Sequence, residues 1–152
     1  MNKISIENLT LFKTPEDSPG YLLWRISFAW RSYIEETLKP LGLTHPQFVV
    51  LTTIAWLTRD GKHINQIDIS KASELDPNTI SQILRRLEAK HFIKRIRFLN
   101  ERSKNSSLTD LGFKVLEKTV PAVEKSDLKF FKSLTAHEMG ILVKLFQKII
   151  PL

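Results

Sequence analysis

Residues 65–109 decide the fold, and they read NQIDISKASELDPNTISQILRRLEAKHFIKRIRFLNERSKNSSLT. Asn65 is suited to cap a short helix that ends near Ser73, and Asp76-Pro77 begins a second helix after a tight connection. The second helix has an apolar side at helical spacing, formed by Ile80, Ile83, Leu84 and Leu87. Two short helices joined by a tight turn predict a helix-turn-helix.

A β-hairpin is predicted directly after these helices. From Phe92 to Leu99 the sequence alternates with a period of two residues, which is typical of a strand. A polar tip, Asn100 to Asn105, separates this strand from a returning segment at 106–108. A helix-turn-helix followed by a hairpin is the arrangement called a winged helix.

Two helices are predicted on the N-terminal side. Ser18-Pro19 is an N-cap followed by proline, and the helix that it begins runs to about Leu41 with a broad apolar stripe. Thr44 and Gln47 have the spacing of a capping box. The helix that they open is expected to turn a core face inward, made of Phe48, Leu51, Ile54 (or Ala55) and Trp56.

Two more helices are predicted on the C-terminal side. Thr109 starts a long helix that runs to about Lys132, and Pro121 is expected to kink it. A second capping box, Thr135 to Glu138, opens a final helix with inward positions at Leu142, Leu145, Phe146 and Ile149. The fold class is therefore mainly α with a small β-hairpin, and a winged helix-turn-helix core is flanked by N- and C-terminal helices.

Length and composition agree with one globular domain, 1–152. The chain has 152 residues, of which 42% are hydrophobic and 26% charged. The absence of cysteine excludes disulfides, thiolate metal sites and thiol redox sensing. No apolar run approaches the ~18 residues of a membrane span, and the first residues do not form a signal peptide. We expect a cytoplasmic protein without a membrane partner.

Positive charge is concentrated in one stretch of the chain. The net charge is +7, and residues 85–104 contain eight basic and two acidic residues, which leaves +1 for all the others. Clustered positive charge of this kind points to a polyanionic partner, nucleic acid above all.

The helix-turn-helix supplies candidate contacts to double-stranded DNA. Its second helix would enter the major groove with its N-terminal turns leading, where short polar side chains can reach base edges. We expect contacts from this helix by Asn78, Thr79, Ser81, Gln82, Arg85 and Arg86, and from the hairpin by Arg95, Arg97, Arg102 and Lys104. The alternative is an ordinary surface helix with a solvated polar face.

Four segments resemble the MarR family of bacterial transcriptional regulators. The stretch 18–25 (SPGYLLWR) resembles its first helix and 42–51 (GLTHPQFVVL) its second, while 76–81 with Leu87-Glu88 is similar to its recognition helix. The stretch 108–112 (LTDLG) resembles the end of its wing. The resemblance covers about residues 18–150.

The resemblance implies a homodimer, joined by helices at 18–41 and 110–150, that presents two winged-helix lobes (44–109) to a pseudo-palindromic operator. The apolar residues on the first and last helices also predict a homodimer, because they exceed what one chain could cover; they include Leu22, Ile26, Trp30, Leu142, Phe146 and Ile149. We expect a sequence-specific regulator, in the first instance a repressor.

Three positions depart from the family's pattern. At the wing tip, Asn100 replaces an aspartate and Glu101 stands where a base is common, while Arg102 keeps the position that enters the minor groove. His91 replaces the glycine that usually follows the recognition helix, so it must adopt or avoid a left-handed conformation.

Aromatic residues on the first two helices have two interpretations. The resemblance implies that a small aromatic or anionic effector lies between the dimerisation helices and the DNA-binding lobe. Its pocket would have Arg31 or Arg85 near the rim and would be lined by Trp30, Tyr33, Phe48, Thr52 and Trp56. Packing in the core is the simpler alternative.

Enzyme motifs are missing from the sequence. The glycine-rich phosphate-binding patterns and the nucleophile elbow do not occur, and the four histidines show no i, i+4 pair. We therefore expect no enzyme, no cofactor and no metal site. The competing function is a winged-helix module without sequence specificity, which acts as an architectural or protein-interaction domain.

Overall fold

The computed structural model describes residues 5–97 and 103–150. Over these residues the chain forms α1 (Pro19–Leu38), α2 (His45–Thr58), α3 (Gln66–Ser73), α4 (Pro77–Ala89), β1 (Ile93–Ile96), β2 (Asn105–Leu108), α5 (Asp110–Phe130) and α6 (Ala136–Ile149). The two strands pair antiparallel, with Ile93 opposite Leu108 and Ile96 opposite Asn105. The predicted winged-helix architecture is confirmed.

Helix starts coincide with the predicted caps. Thr44 and Gln47 exchange the two hydrogen bonds of a capping box at the start of α2. Asn65 Oδ1 accepts the backbone N–H groups of Ile67 and Asp68, at 2.8 and 3.2 Å, at the start of α3. These bonds satisfy donors that the first helical turn leaves unpaired, so the cap fixes where each helix begins.

The core lies where α2, α3 and α4 meet the ends of α1 and α5. The inward side of α4 is buried as predicted, and it packs against a cluster that includes Leu38, Leu51, Ile54, Ile69 and Ile93. Trp56, which we expected on the core face of α2, is instead 68% exposed. The expectation was wrong because Trp56 lies two residues after Ile54, a rotation of about 200° that places it on the opposite side of the helix.

The C-terminal part of the chain forms two helices. α5 ends at Phe130, two residues before the predicted end, and includes Pro121 in its interior, where the expected kink stays a prediction. Among the described residues, α6 fully buries none of its side chains: Leu142 is half-buried, and Leu145, Phe146 and Ile149 are 51, 42 and 74% exposed. The inward packing expected for α6 is therefore incomplete within the described part of one chain, and much of its apolar side is open.

The β1–β2 hairpin, which is the wing, is hydrogen-bonded to the segment before α3. The backbone N–H of Ser106 donates to the carbonyl of Ile64 at 2.9 Å, and Asn65 forms a bridge with Asn105. The first strand ends at Ile96, so Arg97 lies beyond it, and the rest of the predicted extension, residues 98–99, lies outside the described residues. In the described parts, 5–97 and 103–150, no helix is both long and apolar enough to cross a membrane.

Candidate nucleic-acid interface

The start of α4 is held by Asp76. Its carboxylate accepts the backbone N–H groups of Asn78 and Thr79, each at 3.0 Å, and the hydroxyl of Thr79. The bond from the Thr79 hydroxyl, followed by that from its backbone N–H, lowers the pKa of Asp76 below its usual range. Asp76 therefore keeps its charge to a lower pH than an ordinary aspartate does, and it caps the leading turn of α4.

The leading turns of α4 present an exposed polar side. Asn78, Gln82, Arg85 and Arg86 are exposed, so their functional groups are free to meet an incoming surface. Ser81 is half-buried, and its carbonyl accepts the Nε–H of Arg85 at 3.3 Å. Of the six residues predicted on this helix, Thr79 is the one whose side chain hydrogen-bonds to Asp76.

The connection between α3 and α4 is fixed by side chains from α3. The amide of Gln66 donates to the carbonyl of Pro77 at 2.9 Å, and the hydroxyl of Ser70 donates to the carbonyl of Leu75 at 2.6 Å. Glu74 ends α3 in the left-handed region, with φ +56°. These contacts set the angle between the two helices of the motif, and the sequence patterns did not reveal them.

The end of α4 is a Schellman turn centred on His91. The N–H of Phe92 donates to the carbonyl of Leu87 at 3.0 Å, and the N–H of His91 donates to that of Glu88 at 2.9 Å. His91 has φ +59°, so the residue that stands in place of glycine adopts the left-handed conformation. This turn directs the chain from α4 into β1.

Helix α5 begins in close contact with the same turn. The hydroxyl of Thr109 donates to the carbonyl of His91 at 2.6 Å, and the N–H of Thr109 donates to that of Phe92 at 3.1 Å. A Cβ at Gly112 would lie 1.9 Å from the carbonyl oxygen of Phe92. Glycine is required here because the backbone of α5 rests directly on the Schellman turn.

The basic residues of the hairpin occupy different environments. Lys94, Arg97 and Lys104 are exposed. The side chain of Arg95 is only 13% exposed, and its Nη1 lies 4.0 Å from the carboxylate of Glu88 on α4. Arg102 lies outside the described residues, as do Asn100 and Glu101.

A second junction joins α1, α2 and α5 through Trp30. Its indole N–H donates to Asp127 Oδ1 at 2.7 Å, and its ring meets the His45 ring edge-on at 5.0 Å. The backbone N–H of His45 donates to Glu35 at 2.9 Å. Burial lowers the pKa of His45 below its ordinary value, Arg31 acts in the same direction, and Glu35 and Asp127 oppose it.

The five residues predicted to line an effector pocket lie in different surroundings in the described structure. Tyr33 faces Phe130, with ring centroids 6.0 Å apart, and Phe48 packs against the core. The hydroxyl of Thr52 donates within α2 to the carbonyls of Phe48 and Val49. Trp56 lies in solvent under the guanidinium of Arg59.

Trp30 borders two cavities. It lines a cavity of about 790 Å³ between α1, α5 and α6, together with Ile26, Leu128, Phe131 and Phe146. It also borders a smaller cavity of about 400 Å³ on α1, whose walls include Trp24, Phe28 and Arg31.

Known proteins are similar to this chain in sequence and in architecture. The MarR family model matches residues 43–102. The HTH-type transcriptional regulator YdcH of Bacillus subtilis is 33% identical over 130 residues, which cover 84% of this chain and 87% of that protein.

Solved structures superpose over most of the chain. A variant of Escherichia coli MarR complexed with operator DNA has a TM-score of 0.77 and 28% identity, and the match covers 87% of this chain and 93% of that one. Bordetella bronchiseptica BpsR, whose DNA binding is regulated by 6-hydroxynicotinic acid, has a TM-score of 0.76 and 27% identity, with coverage of 86% and 96%. Since a relative 33% identical spans four fifths of the sequence and the family model matches the winged helix, this protein belongs to the MarR family of transcriptional regulators.

Proposed function

We propose that the protein is a homodimeric repressor that binds a pseudo-palindromic operator in double-stranded DNA. One observation carries the proposal: α4 begins with an ordered turn whose exposed side is polar and basic, and the hairpin whose first strand packs against α4 carries further exposed basic residues. In this geometry a helix can enter the major groove while the wing follows the backbone. The E. coli MarR complex with operator DNA supports the proposal.

The proposed contacts divide by chemistry. Asn78 and Gln82 carry amides that can pair with an adenine edge, so we assign them to base recognition. Arg85 and Arg86 lie one turn further along and serve guanine edges or phosphates. Thr79 and Ser81 support the leading turn, while Arg97 and Lys104 serve phosphates and Arg102 the minor groove.

The homodimer rests on open apolar surface at both ends of the chain. On α1, Leu22 and Ile26 are 38 and 45% exposed, and on α6, Phe146 and Ile149 are 42 and 74% exposed. Contiguous apolar surface of this kind marks an interface. We propose that residues 18–41 and 110–150 dimerise and hold the two lobes, 44–109, about 34 Å apart, one turn of DNA.

We also propose that a small aromatic or anionic ligand releases the protein from DNA. The cavity bordered by Trp30 lies between α1, α5 and α6, the helices assigned to the dimer, so a ligand there would change the spacing of the lobes. Of the predicted pocket, Trp30 is the residue that we assign to ligand contact. Regulation of BpsR by 6-hydroxynicotinic acid is a precedent within the same fold.

We propose that the protein acts in the cytoplasm, where the DNA is. We also propose that it is a regulator and not an enzyme. The competing proposal is a winged-helix module that binds DNA without sequence preference. Basic side chains alone would suffice for it, whereas the exposed amides of Asn78 and Gln82 favour base recognition.

Selection of bound sequences from a random pool of duplex DNA distinguishes the sequence-specific regulator from the unspecific module. Enrichment of one inverted repeat, with half-sites about ten base pairs apart, is expected of the dimeric regulator. Strong binding without enrichment would instead identify the unspecific module. Sedimentation at micromolar concentration tests the dimer, and a single species of 17.6 kDa would overturn it.

A further inference from the structure

The charge pattern groups Arg95 with the other basic residues of the hairpin, but the structure places its side chain elsewhere. Along β1, Ile93 is buried, Lys94 exposed, Arg95 half-buried and Ile96 exposed. Because alternate residues of a strand share a face, Arg95 lies on the face of Ile93, toward the body of the lobe. Lys94 is on the opposite, outward face.

The guanidinium of Arg95 is enclosed between β1 and α4. Its side chain is 13% exposed, and Nη1 lies 4.0 Å from Oε2 of Glu88 in the last turn of α4. Its Nε is buried and has no hydrogen-bond partner among the residues that the structure describes. A donor in this position cannot reach a phosphate unless the hairpin moves away from the helix.

The opposite strand, β2, also carries a buried polar atom without a hydrogen-bond partner among the described residues. Ser106 pairs directly with Arg95 in the hairpin, and its Oγ is likewise buried without a partner within the described residues. The backbone N–H of Ser106 holds the hairpin to Ile64 in front of α3. Arg95 therefore occupies the point where the recognition helix, the wing and the segment before α3 converge.

We propose that Arg95 is a positioning residue that fixes the wing against the recognition helix through Glu88, and that it does not contact phosphate. The inference rests on the proposed DNA-binding function and refines it. Arg97 provides the matched control, since it is two residues away in the same hairpin and is exposed.

Titration of the selected operator at several salt concentrations tests the assignment. Arg97→Met should lower the salt slope by about one, as expected for a lost phosphate contact, whether residue 88 is Glu or Gln. Arg95→Met should weaken binding about threefold or more in the wild-type background and much less in the Glu88→Gln background, since the two residues act together. An equal loss in both backgrounds, with a slope change matching Arg97→Met, would overturn the proposal.

Hydrogen exchange of the free protein provides a readout that does not involve DNA. The amide of Ser106 should exchange faster in Arg95→Met and in Glu88→Gln, to the same extent in the double variant, and at the wild-type rate in Arg97→Met. Unchanged exchange in Glu88→Gln would contradict the positioning role, even if Arg95→Met failed to fold. If the wild-type protein enriches no operator, the proposed function fails, while the exchange data still decide the role of Arg95.

Discussion

The indole N–H of Trp30 donates to the carboxylate of Asp127 at 2.7 Å and so joins α1 to α5 across 97 positions of sequence. The same indole contacts the His45 ring at the start of α2. Trp30 is thus one of the residues that connect the helices assigned to the dimer with the DNA-binding lobe, and it also borders the cavity proposed for the ligand.

Trp30→Phe should lower the free energy of unfolding by about 1.5–3 kcal/mol, because a hydrogen bond to a charged acceptor is lost while most of the ring is kept. Urea denaturation at fixed protein concentration measures the change. Trp24→Phe is the control: Trp24 is 64% exposed on the same helix, and its replacement should change stability by less than about 0.5 kcal/mol. Equal losses of stability in the two variants would contradict the stabilising role of the hydrogen bond from Trp30 to Asp127.

Gly112→Ala should destabilise the protein by about 1–3 kcal/mol or more, because the new Cβ would lie 1.9 Å from the Phe92 carbonyl and must displace backbone. Gly140→Ala supplies an opposite control in α6, where a Cβ meets open space among the described residues. At that position the substitution should raise the free energy of unfolding by about 0.5–1 kcal/mol. Thermal unfolding of both variants gives the comparison, and a neutral Gly112→Ala would be incompatible with the described junction.

His91→Gly should stabilise the protein by about 1 kcal/mol, because His91 holds a left-handed conformation that glycine adopts without steric cost. Lys90→Gly, one residue earlier in a right-handed conformation, should instead lose stability. Lys90 also donates to Gln47 and to the carbonyl of Gly42, so its replacement removes those bonds too. Stabilisation by both changes would argue against strain at His91.

Acidification should destabilise the fold through His45. Its pKa in the folded state is lowered, chiefly by burial, so the unfolded chain binds the proton more readily. The stability that depends on neutral His45 is complete above its ordinary pKa of 6.5 and declines as the pH falls below that value. Denaturation between pH 8 and pH 5 should show this slope, which His45→Gln should remove while the groups that face it, Glu35, Arg31 and Asp127, are kept.

Gln82→Ala and Asn78→Ala should relax sequence preference at particular operator positions, at about 1–3 kcal/mol for each lost pair of base-edge bonds. Lys104→Ala should weaken every sequence alike and lower the salt slope by about one. Binding to single-base variants of the selected operator distinguishes these outcomes. A uniform loss from Gln82→Ala would reassign that residue to the DNA backbone.

Local signals made most of the fold predictable. Capping residues act within three positions of one another, so Thr44 with Gln47 and Asn65 with Asp68 mark helix starts without any knowledge of tertiary contacts. The position of Trp56 was predicted wrongly because a large aromatic side chain favours the core, whereas its angular position on α2 places it in solvent.

Contacts between distant segments were not accessible in this way. The bond from Trp30 to Asp127 depends on how two helices cross, which their separate apolar patterns do not specify. Arg95 did carry a usable signal, since it alternates with the buried Ile93, but its positive charge suggested an outward position. The proposed base contacts on α4 stay predictions that only DNA binding can decide.

The open apolar side of α6 also affects how the occupancy of the operator depends on the concentration of the protein. In the proposed homodimer each chain provides one recognition helix, and tight binding needs two half-sites to be held together. Below the dimer dissociation constant, the concentration of dimers follows the square of the chain concentration. Halving the amount of protein would then reduce operator occupancy about fourfold, so the exposed side of α6 would turn a gradual change in expression into a threshold.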